Sequence, residues 1–287
     1  MSIMAGTGRG AKAGVLIKNA EALEAFEKVD TLIVDKTGTL TEGKPKLMSV
    51  VAAAGFEQAE VLALAASLER GSEHPLAEAI VTGATEKGAA LTNASEFKSI
   101  TGKGVTGTIN GKKVALGNLA LLETLGIDSA GVKGQADAYR AQGQTAMFVA
   151  IDGKAAGIIT VADPIKETTV EAIKQLKADG LRIVMLTGDN KTTAMAVAKK
   201  VGIEEVEADV LPDQKNSAVR KLQEQGRKVA MAGDGINDAP ALAKATIGIA
   251  MGGIGSDAAI ETADIALMGD DIGQLPWLIE HSRRALS

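Results

Sequence analysis

Thr31-Leu-Ile-Val-Asp35-Lys-Thr-Gly-Thr-Leu-Thr41 decides how the chain folds. Its apolar half reads as a short, fully buried parallel strand, which places Asp35 at that strand's carboxyl end. Ligands of open α/β sheets collect at that edge. A carboxylate on a rigid strand end, followed by a turn rich in hydroxyls and backbone N–H groups, suits an aspartate that attacks phosphorus and becomes an aspartyl phosphate. Taken alone, the stretch is equally well a strand end with a solvated turn, but two later strand ends repeat its pattern.

The apolar run 181–186 leads into Thr187-Gly188-Asp189-Asn190, and the run 228–232 leads into Gly233-Asp234-Gly235-Ile236-Asn237-Asp238. Between them Pro212 opens a helix with Lys215 in its first turn. From residue 165 onward strands and helices alternate, which predicts an α/β domain with a Rossmann-like parallel sheet. Parallel strands bring the three polar ends to one edge and set Asp35, Asp234 and Asp238 within a few ångströms of one another. At 4 Å each like-charge pair costs about 4 kcal/mol at an effective dielectric near 20, so the cluster calls for a cation. An all-oxygen set of this kind suits Mg²⁺ bridging to a phosphate. Thr187 is then placed to hydrogen-bond a transferred phosphoryl group, and Lys215 to neutralise its oxygens. Each piece has a plainer reading: Asp189 as a helix cap, Lys215 as a surface lysine, Gly233-x-Gly235 as a tight turn. Their joint placement at three strand ends tells against coincidence.

Residues 43–161 differ in pattern. Helices are expected over 57–69, 76–87 and 130–142, and Asn110-Gly111 and Asp152-Gly153 mark hairpins between alternating apolar residues. This predicts an inserted α+β domain with an antiparallel sheet, leaving 1–42 and 162–287 as one discontinuous domain.

The 287 residues are 46% apolar but only 2% aromatic, so the cores must be built from Ala, Val, Leu and Ile. A net charge of −5 and the lack of a basic stripe argue against nucleic acid as a partner. Without cysteine there is no disulfide, zinc–thiolate site or thiol catalysis. The apolar run 61–66 falls far short of the roughly 18 residues a membrane span needs. The first residues lack the cationic start and apolar core of a signal peptide, which predicts a cytoplasmic location. Gly6-x-Gly8-x-x-Ala11 and Gly102-x-Gly104-x-x-Gly107 match a dinucleotide fingerprint without its strand–turn–helix context, and no Gly-Lys-Ser or Gly-Lys-Thr marks a phosphate-binding P-loop.

With these motifs the chain resembles the P-type ATPases of the haloacid-dehalogenase superfamily. Asp35-Lys36-Thr37-Gly38-Thr39 resembles their phosphorylation motif, Thr187-Gly188-Asp189 the second motif, Pro212-Asp-Gln-Lys215 the lysine segment and Gly233 to Asp238 the Mg²⁺ motif. The resemblance implies Asp35 as phosphorylated nucleophile. It implies Mg²⁺ held by the Asp35 carboxylate, the Thr37 main-chain carbonyl and Asp234, with Asn237 and Asp238 in support. The inserted domain resembles the nucleotide-binding domain of the heavy-metal subfamily through Glu69, Ser72-Glu73-His74-Pro75, Gly102-Lys103-Gly104 and Gly117-Asn118. There the resemblance implies ATP, with Glu69 and His74 around the adenine, Gly102 and Gly104 allowing close approach, and Asn118 across the pocket.

It further implies a loop at the cytoplasmic face of the cell membrane, with 1–25 and 273–287 similar to the segments that flank transmembrane helices. The implied partners are a membrane domain and an actuator domain outside this sequence, and the exported metal would not be bound by this chain. Val15 to Leu23 is similar to the copper branch, implying Cu(I), whereas Ala259 to Met268 is similar to the Zn(II)/Cd(II) branch. A free-standing phosphatase of the superfamily would carry a general-acid Asp where Thr37 stands. A non-catalytic nucleotide-binding module would bind ATP without labelling Asp35.

Overall fold

The computed structural model describes residues 14–235, 238–252, 257–269 and 271–286. They form two compact units, one of residues up to Gly43 and from Ile165 onward, the other Lys44–Pro164. The second unit ends later than the expected residue 161. The strand Lys154–Ala162 stays paired up to Ala162 opposite Lys46, and the Asp163 carboxylate accepts a hydrogen bond from the Lys44 N–H at 3.1 Å.

In the first unit the strands lie in the order Val15–Ile17, Ile265–Leu267, Ile247–Met251, Val229–Gly233, Thr31–Asp35, Arg182–Leu186, Glu205–Glu207. All pairs are parallel except the one made by Val15–Ile17, an antiparallel edge strand the sequence did not announce. Thr31–Asp35 is buried at every position and lies between two strands far from it in sequence. Side-chain alternation divides the core. Leu32 and Val34 join Leu23, Phe26, Ile173 and Leu278 on one face, while Ile33 joins Val219, Leu222 and Met231 on the other. Helices cover both faces, as a parallel sheet requires.

The second unit is a six-stranded antiparallel sheet in the order Lys46–Ala52, Lys154–Ala162, Thr145–Ile151, Lys112–Gly117, Gly104–Ile109, Ser95–Ile100. Both expected hairpins form, pairing Ile109 with Lys112 and Ile151 with Lys154. Helices Gln58–Glu69 and Pro75–Glu86 pack Val61, Leu62 and Ile80 against Ile109 and Ile159 on one face. Helices Leu119–Thr124 and Lys133–Ala141 pack Leu121, Leu122 and Ala136 against Phe148 and Ile158 on the other. No helix among the described residues is long and apolar enough to cross a membrane.

Candidate active site

Register builds the site in the first unit. Asp35 lies opposite Leu186, and Val34 opposite Ala232, so Thr187 and Asp234 follow directly on strands that end level with Asp35. One carboxylate oxygen from each of Asp35, Asp234 and Asp238 lies within 4.8 Å of the others. Lys215 Nζ joins two of them, donating to Asp35 Oδ2 at 3.2 Å and to Asp238 Oδ1 at 2.7 Å. The other Asp238 oxygen accepts the Gly235 N–H at 3.0 Å, which fixes this nearly inaccessible carboxylate. Burial, then the nearby Asp238 charge, push the Asp35 carboxyl up to about 7 against the opposing pull of Lys215. Burial pulls Lys215 down, yet Asp35 and Asp238 outweigh it and hold the ammonium above its ordinary value.

The turn after Asp35 is braced from several sides. Gly38 N–H donates to Thr41 Oγ1 at 3.2 Å, Lys166 Nζ donates to Gly38 O at 3.0 Å, and Thr169 Oγ1 donates to Leu40 O at 2.8 Å. No motif in the sequence marks Lys166 or Thr169. The only hint was their position just after Asp163-Pro164, where the chain re-enters this unit. Thr37 is exposed on the turn, whereas Lys36 is buried and forms an ion pair with Asp189 at 2.8 Å. Asp189 is not the helix cap. Asn190 caps Lys191–Val201 through its Oδ1, which leaves the Asp189 carboxylate to tie the two motifs together. Thr187 is buried with its Oγ1 accepting the Asp189 N–H at 3.1 Å, and Gly188 is exposed beside it. Lys215 begins its helix after a short turn, Pro212–Gln214. Asn237 lies outside the described residues.

These donors fit a hard divalent cation such as Mg²⁺: three carboxylates converge at the strand ends, and a shared cation relieves the repulsion among them. The packing leaves no slack. A Cβ on Gly38, whose φ is +77°, would stand 1.6 Å from Asp234 Oδ2. Gly38→Ala therefore has to displace Asp234 and hold an L-residue in the left-handed region, itself a cost of about 1–2 kcal/mol. The expected result is a lower urea midpoint at unchanged slope, together with weaker Mg²⁺ binding by calorimetry. Wild-type values for both would show that the Gly38–Asp234 approach is not needed.

In the second unit Glu69, Ser72 and His74 line a cleft of about 380 Å³ together with Arg70, Glu78 and Val81. Burial raises the Glu69 carboxyl above its ordinary value, partly offset by a hydrogen bond with Ser72. His74 caps the helix that Pro75 opens, its Nδ1 accepting the Leu76 N–H at 3.2 Å, so Nε2 is the nitrogen left for a ligand. Phe97 stands near Gly71 at this corner, an aromatic that no motif in the sequence marks. Gly102, Gly104, Gly117 and Asn118 do not line this cleft; Gly104 and Gly117 are directly opposite each other in the sheet. Asn118 Nδ2 donates to Gly102 O at 2.8 Å.

Comparison with known proteins extends these observations. The haloacid dehalogenase-like hydrolase family matches residues 29–246. A copper-transporting P-type ATPase of Rhizobium leguminosarum bv. viciae is 58% identical over 95% of this chain, which spans 32% of that protein's length. A zinc-transporting PIB-type ATPase, solved in its E2.Pi state, superposes with a TM-score of 0.84 at 38% identity, covering 99% of this chain and 46% of its own. The catalytic domain of the CPx-ATPase CopB-B, a structure concerned with conformational change on nucleotide binding, gives a TM-score of 0.74 at 32% identity. That match covers 96% of this chain and 98% of the domain. A chain that carries these motifs at these strand ends and matches such a domain nearly end to end belongs to the haloacid dehalogenase-like hydrolases and, within them, to the catalytic domains of heavy-metal P-type ATPases.

Proposed function

We propose that this chain is the ATP-binding and phosphorylation unit of a heavy-metal-exporting P-type ATPase, with Asp35 accepting the γ-phosphoryl group of ATP. The observation that carries this reading is Lys215 spanning Asp35 and Asp238 beside Asp234 at the ends of parallel strands. An Asp35 oxygen bonds to the γ-phosphorus as the bond to the β,γ-bridging oxygen breaks, and ADP leaves with that electron pair. No proton has to move. The Asp35 carboxylate, the Thr37 carbonyl and Asp234, with Asn237 and Asp238 in support, would hold Mg²⁺, which would supply charge neutralisation for the transfer. Lys215 adds a second positive charge, and Thr187 and Gly188 border the phosphoryl oxygens. The Lys36–Asp189 pair holds the two turns in register. Thr37 cannot act as a general acid or base, so the aspartyl phosphate persists until a separate actuator domain brings about its hydrolysis.

Residues 44–164 form the nucleotide-binding domain in this reading, with Glu69, His74, Pro75, Gly102, Gly104, Gly117 and Asn118 making or shaping the ATP site. The remaining residues form the phosphorylation domain, at the cytoplasmic face of the membrane and coupled to a membrane domain that selects the metal. The name of the 58% identical relative and the Val15 to Leu23 segment favour Cu(I). The zinc-transporting structure and the Ala259 to Met268 segment support Zn(II) or Cd(II) as the second reading. Stimulation of the full-length pump's ATPase by Cu(I) rather than Zn(II) decides between them.

Incubation of the chain with γ-labelled ATP and Mg²⁺ tests the central claim. An acid-stable, hydroxylamine-labile phosphate on the protein is expected. ATP binding without such a label would make the chain a non-catalytic nucleotide module instead.

The second unit has its own two cores, so residues 44–164 should fold alone and bind a non-hydrolysable ATP analogue. In that fragment His74→Gln should raise Kd about tenfold, equivalent to roughly 1.4 kcal/mol. Calorimetric titration reads this directly, and an unchanged Kd would remove His74 from the site.

A further inference from the structure

The four positions 102, 104, 117 and 118 do different work. The Asn118 side chain is engaged within the protein at both ends: Nδ2 donates to Gly102 O at 2.8 Å and Oδ1 accepts the Leu121 N–H at 3.1 Å. The assignment of nitrogen and oxygen is forced, because one partner is a carbonyl and the other an N–H. The Asn118 N–H also donates to Lys103 O at 2.9 Å. At the far end of the helix Leu119–Thr124, Thr124 Oγ1 accepts a hydrogen bond from Lys103 Nζ at 2.8 Å. Both ends of one short helix therefore hold the loop 102–104.

The glycines divide in the same way. A Cβ on Gly104 would lie 2.2 Å from Leu116 O and 2.6 Å from Gly117 Cα, and one on Gly117 would lie 2.2 Å from Lys103 O. Those two glycines are demanded by each other's backbone. Gly102, with φ +72°, has nothing within 4 Å of an added Cβ, so its outer side is open.

We propose that Asn118 is a positioning residue that latches the 102–104 loop onto helix Leu119–Thr124 and so holds that loop in its nucleotide-binding shape. The inference rests on the ATP-site reading above. A loop held in its binding shape before the ligand arrives loses less freedom on binding, so the latch should be read out as affinity.

Asn118→Asp separates the roles. It keeps an oxygen for the Leu121 N–H but sets a carboxylate against the Gly102 carbonyl. In the nucleotide-free whole chain, amide exchange should speed up about tenfold at Lys103, bonded to Ile100 O, and at residue 118, bonded to Lys103 O, with little change in melting temperature. The Kd for a non-hydrolysable ATP analogue should rise about tenfold. Asn118→Ser, which retains a capping oxygen but cannot reach Gly102, should behave alike and serves if the Asp variant folds poorly. Gly104→Ala should lower the melting temperature, whereas Gly102→Asn, a residue tolerated at positive φ, should keep it.

Wild-type exchange rates in both Asn118 variants would overturn the latch. A weaker Kd with unchanged exchange would make Asn118 a direct ligand and overturn it equally, as would faster exchange with unchanged Kd. If the wild-type chain binds no analogue, the ATP-site reading has failed, and the exchange comparison in the free chain still decides whether the latch exists.

Discussion

Asp35→Asn is expected to abolish phosphorylation and ATP turnover while leaving analogue binding in the second unit within about twofold of wild type. An amide has no anionic oxygen to attack phosphorus, and no other carboxylate is on that strand end to take over. Asp238 is pinned by Lys215 and the Gly235 N–H. Stability should move the other way. The folded-state value of Asp35, about 7, lies above its ordinary 3.8, chiefly through burial and then the Asp238 charge. Such a group binds its proton more tightly when folded, so the chain loses stability as pH rises from about 4 to about 7, and a neutral amide escapes that loss. In EDTA the variant should therefore have the higher urea midpoint at pH 8, with the difference vanishing near pH 4. Mg²⁺ should raise the wild-type midpoint far more than the variant's. Residual hydroxylamine-labile label or residual turnover in Asp35→Asn would show that the nucleophile lies elsewhere.

The candidate site is legible in the sequence because its main carboxylates follow uninterrupted apolar strands, and the side-chain period of a parallel strand leaves little choice about where its end lies. Asp35 and Asp234 are of this kind. Lys166 and Thr169 are not, since each reaches across from more than a hundred residues away to brace a carbonyl of the 36–41 turn. Such contacts depend on tertiary placement and leave no local pattern. The competition between Asp189 and Asn190 for the helix cap is similar. Both are good capping residues, and the buried Lys36 ammonium decides the outcome by claiming Asp189.

In the second unit the hairpins announced themselves through Asn110-Gly111 and Asp152-Gly153, whereas the edge strand Ser95–Ile100 did not. It is exposed along most of its length and irregularly paired, so it carries no alternation of apolar and polar residues. Helix Leu119–Thr124 is too short to show a helical period, so nothing in the sequence marks Asn118 as its cap. Strand Glu205–Glu207 stops earlier than the apolar residues after it suggest, because the Val210 N–H turns back to bond Thr187 O.

Lys215→Met should produce the second large effect, on rate and stability together. The side chain is only 14% exposed and its ammonium contacts two buried carboxylates, so its loss leaves Asp35 and Asp238 facing each other without compensation. Breaking a buried ion pair from one side costs about 3–5 kcal/mol, more than the apolar Met stem recovers by packing in the same space. Phosphorylation of Asp35 should slow by about 10²–10³-fold, the range found when one preorganised charge-stabilising group is removed from a transition state. The pH dependence gives the cause away. Lys215 now holds Asp35 down against burial and Asp238, so without it the Asp35 carboxyl rises further above about 7. In EDTA the variant's deficit should then be largest above pH 8, where wild-type Asp35 is ionised, and shrink toward pH 5, where protonation of Asp35 relieves the repulsion in both proteins. Added Mg²⁺ should restore much of the lost stability and little of the rate, because the cation can replace the missing charge among the carboxylates but not the donor held between Asp35 and Asp238. A deficit that is flat from pH 5 to pH 9, or a phosphorylation rate within threefold of wild type, would rule out Lys215 as the charge partner of Asp35.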